Sequence, residues 1–182
     1  SILQSGPDGA PVVTTTGTAV TAVRRDTWSA GVTPAPDVPR PVDLAAIPPP
    51  DSVEWLSRYE MRPVTGVLPQ VWDSSGDHSL SQLWLRDAPP RPLDFCSRAA
   101  LADVFFPRVW LRRARQVPVG TVSLTVYFHA GQADLAATGD GYLLGQARGQ
   151  EFRNGFFDQT AQLWNEAGTL LATSHQIVYY KE

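Results

Sequence analysis

The sequence predicts an α+β domain, a long and mostly antiparallel sheet with one apolar helix wedged against it. Three observations predict this class. Strand-like runs flank one convincing helix, that helix is apolar over much of its circumference (Phe95, Ala99, Ala100, Leu101, Ala102, Val104, Phe105), and four strands follow it. A helix this apolar needs burial on most sides, and a sheet supplies it.

Taken in order, residues 2–25 read as a hairpin whose arms flank Gly6-Pro7-Asp8-Gly9, residue types suited to a tight turn. Residues 27–51 are dense in proline and show no apolar period. Proline fixes φ and lacks a donor, so this stretch reads as a semi-rigid extended linker. Residues 53–64 read as a strand closed by Pro63, and 78–87 as a second ended by Ala88-Pro89-Pro90. The helix is expected over 94–113, with Asp94 as N-cap, basic residues at the C-terminal end, and Pro107 kinking it or ending its first part. Then come strands over 121–129, 142–153, 155–165 and 169–180, the last two joined by Asn165-Glu166-Ala167-Gly168. Over 121–129 simple alternation places Val122, Leu124, Val126 and Phe128 on one face and Thr121, Ser123, Thr125, Tyr127 and His129 on the other. A faint repeat, Gly9 aligned on Gly168, makes the opening hairpin resemble the closing one. The organisation expected is 1–26 as the last two strands of an otherwise absent domain, 27–51 as linker, and 52–182 as a domain.

Composition narrows the function. The 182 residues are 43% hydrophobic, enough for one full core, and 18 acidic against 15 basic residues give a net charge of −3. Phosphate neutralisation wants the opposite balance, which argues against nucleic acid as partner. No apolar run approaches the roughly 18–20 residues of a membrane span. A lone Cys96 makes no intrachain disulfide, so a cytoplasmic setting is the default expectation. Because the chain opens on Ser1 and its one methionine is Met61, it is expected to be the C-terminal part of a longer protein.

The stretches VPVGTVSLTVYFHA and FFDQTAQLWNEAGTLLATSHQIVYY, preceded by VEWLSRYEMRP, SLSQLWLRD and AALADVFF, resemble the C-terminal half of type II acyl-CoA thioesterases, the double-hotdog proteins. The resemblance covers residues 53–180. It implies a hotdog fold, the second half of a double hotdog, with 2–25 as the last strands of the first half. It also implies acyl-CoA as substrate and a water-activating trio: Asp103 in AALADVF, Thr121 in VGTVSL and Gln176 in ATSHQIV. In the repeat Gln176 aligns with Gly17, so one active site is expected.

The implied chemistry is sound in itself. A thioester is reactive enough for an oriented water to attack, with a carboxylate accepting the proton and neutral hydrogen-bonding groups holding the water. Backbone N–H groups near the helix start are expected to stabilise the oxyanion, and Phe105, Phe106 and Trp110 to wall the acyl chain. No metal or organic cofactor is required. A two-stranded hairpin is not stable alone. Residues 2–25 should therefore add to the sheet edge or pair with a separate chain carrying the absent segment, or with a second copy. The alternative is a non-catalytic acyl-binding or scaffold hotdog protein. A hotdog hydratase ranks last, because it needs an Asp/His pair and the helix holds no histidine.

Other signals carry less. His78, His129 and His175 lack metal-ligand spacing. Asp77-His78-Ser79 are adjacent on a strand edge and point in opposite directions, so they assemble no triad. Cys96 reads as a buried structural thiol, and Gly139-Asp140-Gly141 as a turn.

Overall fold

The computed structural model describes residues 2–23, 25, 27–49 and 53–182, and divides into two units, Ser1–Ala30 and Gly31–Glu182. In the first unit β1 (Ile2–Ser5) and β2 (Pro11–Thr15) form an antiparallel hairpin and a sheet of their own. Gly9 N–H closes the turn on Gly6 O at 2.9 Å. Gly9 and Gly168, the two residues matched by the repeat, hold the same left-handed φ, +79° and +81°.

The second unit is a seven-stranded antiparallel sheet in the order β3-β4-β6-β8-β9-β5, with β7 also on β8. Its strands are β3 (Tyr59–Thr65), β4 (Ser81–Asp87), β5 (Val119–Phe128), β6 (Leu143–Arg148), β7 (Phe152–Arg153), β8 (Phe156–Asn165) and β9 (Leu170–Tyr180). This is the α+β class that the residues predict, in the hotdog form that the resemblance implies. Alternation sends Leu83, Leu85, Leu143, Ala161, Leu163 and Ala172 to the face that carries the helix, where they pack with Leu101, Ala102, Val104 and Phe105. Gly145 on β6 makes that seat possible. A Cβ there would stand 2.9 Å from the Phe105 ring and 2.7 Å from Leu85 Cδ2.

The single helix expected over 94–113 is two short ones. Asp94 caps α1 (Phe95–Leu101) as expected, its Oδ1 accepting from Ser97 N at 2.7 Å. The helix stops at Ala102, and α2 (Arg108–Arg113) starts after Pro107. Pro107 offers no N–H to the earlier turn and disfavours helical φ/ψ at Phe106, so the residues from Asp103 to Phe106 leave the helix. A third helix, α3 (Gln132–Thr138), is absent from the sequence expectation, because with seven residues it shows barely two turns of apolar pattern. The first strand of the unit is also shorter than expected, since Glu54–Arg58 form a 3-10 turn ahead of β3. Cys96, expected to be buried, is exposed, because α1 turns that side away from the sheet.

The proline-rich stretch has a place on the other face of the sheet. Ala35, Val38 and Leu44 lie on a cluster of Trp84, Tyr142, Leu144 and Trp164. Buried indole N–H groups need acceptors, and a proline-rich backbone offers carbonyls it does not use internally. Trp84 Nε1 donates to Pro39 O at 2.8 Å and Trp164 Nε1 to Thr33 O at 3.3 Å. Arg62 Nη1 donates to Pro41 O and Leu44 O, so the strap is held by side chains from three strands.

Candidate active site

The loop that Pro107 forces between α1 and α2 is what presents Asp103. Ser174 Oγ donates to Ala102 O at 3.1 Å and pins the end of α1 over β9. Two residues along the same face of β9 is Gln176, 6% exposed. Its Nε2 donates to Asp103 Oδ1 at 2.9 Å and to Thr121 Oγ1 at 2.7 Å. The structure thus brings together all three residues that the resemblance singled out, from a helix end and two strands.

Thr121 gets there by a route that simple alternation misses. Cα pairing runs Thr121 with Val178 and Ser123 with Ile177, leaving Val122 as an extra residue in β5. That bulge changes the parity of the strand. Thr121 therefore shares the helix-side face with Leu124, which pairs with Gln176, instead of lying opposite it; Val122 is 58% exposed.

As a residue Asp103 is exposed, so the site is open to incoming molecules on one side. Protein still crowds its carboxyl. Burial pushes the Asp103 pKa up, and the Gln176 hydrogen bond opposes this as the smaller effect. Because Thr121 Oγ1 accepts from Gln176, its own proton is free to donate to a third partner.

An apolar cleft of about 360 Å³ is lined by Ile47, Leu56, Tyr59, Met61, Leu68 and Phe106 among others. Phe106 lies three residues after Asp103. The Tyr59 phenol feels burial first, then the charges of Asp87 and Asp103, and all three raise its pKa. The other two aromatic candidates are elsewhere. Phe105 is 8% exposed and belongs to the core against Gly145. Trp110 packs with Val109, Val117 and Phe157, its Nε1 donating to Val117 O at 2.8 Å.

Sequence reasoning missed several residues that shape the site. Arg108, buried, donates to Ser79 O, Ser81 Oγ and twice to Phe106 O, fixing the backbone of the loop. Burial among these neutral acceptors pushes its pKa down to about 9. Arg98, 0% exposed, donates through Nη1 to Ala130 O and Leu171 O and stacks on Phe95 and Phe128, anchoring α1. Gln159 on β8 donates to Gln176 Oε1 at 2.9 Å. The sequence marks Gln159 as a polar residue in the inward stripe Phe157, Ala161, Leu163, and that mark alone assigns it no role.

Residues 33–180 match the family model of the acyl-CoA thioesterase C-terminal domain. The chain belongs to this family. Among solved structures, a hotdog-fold protein of unknown function from Alicyclobacillus acidocaldarius is 41% identical (TM-score 0.81) over 87% of this chain and 59% of its own. Acyl-CoA thioesterase II of Mycobacterium marinum is 18% identical (TM-score 0.65) over 86% and 59%, and the TesB protein of Mycobacterium avium subspecies paratuberculosis 17% (TM-score 0.62) over 85% and 56%. At those identities the two mycobacterial proteins show a common fold. The chain thus spans less than two thirds of the length of each. No curated protein matches it significantly. No helix among the described residues is long and apolar enough to cross a membrane.

Proposed function

We propose that this chain carries the water-activating site of an acyl-CoA thioesterase. Asp103 is the general base, and Thr121 and Gln176 orient the attacking water. The observation that carries the reading is the Gln176 amide bridging Asp103 and Thr121, together with an apolar cleft that Phe106, three residues beyond Asp103, helps to line. The acyl chain enters that cleft past Phe106. Asp103 takes a proton from water as the water oxygen bonds to the thioester carbonyl carbon. Collapse of the tetrahedral intermediate breaks the C–S bond, and the proton passes to the departing CoA sulfur, leaving free acid and CoA.

The test is release of free thiol from a panel of acyl-CoA esters of short to long chain. Asp103→Asn is expected to lower kcat at least about 100-fold, the scale of general-base catalysis, with a cooperative melt retained. Full activity in that variant overturns the role of Asp103. A second reading, an acyl-binding protein without turnover, draws on the exposure of Asp103, which leaves the site unsealed from bulk water. Binding of acyl-CoA with no thiol release at any chain length would favour it.

We also read residues 1–26 as strands of a further hotdog half, and the partner as a chain or second copy that completes the sheet.

A further inference from the structure

We propose that Gln159 is a positioning residue for this site, one that holds the Gln176 amide with its nitrogen towards Asp103 and Thr121. The inference rests on the thioesterase reading only for its kinetic consequence; the positioning itself is a statement about hydrogen bonds.

The two glutamines are direct cross-strand partners on β8 and β9, 2% and 6% exposed, and Gln159 Nε2 donates to Gln176 Oε1 at 2.9 Å. A glutamine amide turns readily about its last torsion, and its two faces are opposites, one accepting and one donating. For Gln176 the turned state would set a carbonyl oxygen against the Asp103 carboxylate, an acceptor against an acceptor. Thr121 alone does not decide between the states, since a hydroxyl donates or accepts. Gln159 does. With its amino group aimed at position 176, the turned state would bring two amino groups together in a dry interior, where unmatched donors are costly. The donor of Gln159 thus reinforces the state in which Gln176 Nε2 spends both hydrogens on Asp103 and Thr121.

The choice of residue points the same way. Phe157, Ala161 and Leu163 are its neighbours in that stripe, and an apolar side chain at 159 would pack without desolvating an amide. A glutamine ladder also runs across the other face, Gln82 to Gln146 to Gln162, and it meets no carboxylate in the site. The inner chain differs in ending on Asp103.

Two variants of similar length test this. Gln159→Met removes the donor, and Gln159→Glu presents an acceptor instead. Asp103 is followed by carbon-detected NMR titration of its carboxyl, assigned by the signal lost in Asp103→Asn. Tyr59 is a titratable group that feels the Asp103 charge, and its phenol, raised above the usual value, stays neutral through this range. In Gln159→Met the Asp103 midpoint should rise by up to about one pH unit, as the Gln176 bond to the carboxylate is lost for part of the time. It should rise further in Gln159→Glu. On any acyl-CoA that the wild type cleaves, Gln159→Met should lower kcat about tenfold with KM within about twofold. A folded Gln159→Met with an unchanged Asp103 midpoint overturns the proposal, even where its melting temperature falls, because a purely structural glutamine would do only that. A wild type that releases no thiol defeats the thioesterase reading and leaves the titration to judge Gln159. If neither variant folds, side-chain amide hydrogen exchange in the wild type decides. Protection of the Gln159 amide supports the proposal, and exchange as fast as that of exposed Gln132 overturns it.

Discussion

A carboxylate that takes a proton from water works better as its pKa rises towards the working pH, and burial moves Asp103 that way. The base must be ionised to act. kcat/KM should therefore fall as pH falls through the raised pKa, with a midpoint above the value near 3.9 of an ordinary aspartate; a midpoint at or below that value would contradict it. The same shift has a stability consequence of definite sign. A raised pKa means that the protonated form suits the fold better, so the contribution is present at low pH and is lost as pH rises through the folded-state pKa. Asp103→Asn should then melt at or above the wild-type temperature at neutral pH, in a thermal scan, while losing turnover. A lower Tm would place Asp103 among the structural residues. What was legible here was the set of residue types and their order along the chain. The face of Thr121 was not, because one extra residue, Val122, reverses the parity that alternation assumes. Gln159 was not either, because an inward glutamine gains meaning only when its cross-strand partner is known.

At the scale of elements, the helix cap at Asp94 and the turn at Asn165–Gly168 were readable because their chemistry is local. The break after Ala102 was half-readable, since Pro107 forbids a continuous helix without saying how many residues leave it. The strap of residues 33–47 was unreadable as a packed element. Its proline pattern gives an extended backbone, but the tryptophan and arginine donors that hold it lie 18 to 131 positions away. Glu60 is the keystone under that strap. Burial would push its carboxyl up, yet donation from Tyr142, Arg86 and Arg62 outweighs this and holds it at about 2. A depressed pKa stabilises the fold above the unfolded value of 4.5, and that contribution is lost as pH falls from there towards 2. Glu60→Gln should cost about 2 kcal/mol at neutral pH by leaving two half-buried guanidinium groups without their carboxylate. It should also flatten the acid limb of stability between those pH values, as read by denaturant melts across the range. A variant as acid-sensitive as the wild type would assign the acid limb to other groups.

For the whole molecule the telling feature is the end of the sheet. β5 is the terminal strand of the order, ten residues long, and carries no charge from Val119 to Phe128. Proteins guard such edges with lysine, proline or brevity, and among the described residues of this strand the guarding feature is the bulge at Val122, near its start. Val122 and Tyr127 are exposed on it as well. An uncharged edge of this length favours pairing with another strand, because each unpaired N–H and C=O then trades water for a ladder bond while the exposed side chains are covered. The expected partner is a further hotdog edge, from a second copy or from a separate chain of roughly 80 to 120 residues, the size of one small domain. Native mass spectrometry of the purified protein should then find an assembly heavier than one 19.9 kDa chain. Amide exchange should find the β5 backbone protected in that assembly. A monodisperse single chain whose β5 amides exchange freely along one edge would refute the pairing and leave the hotdog unit standing by itself.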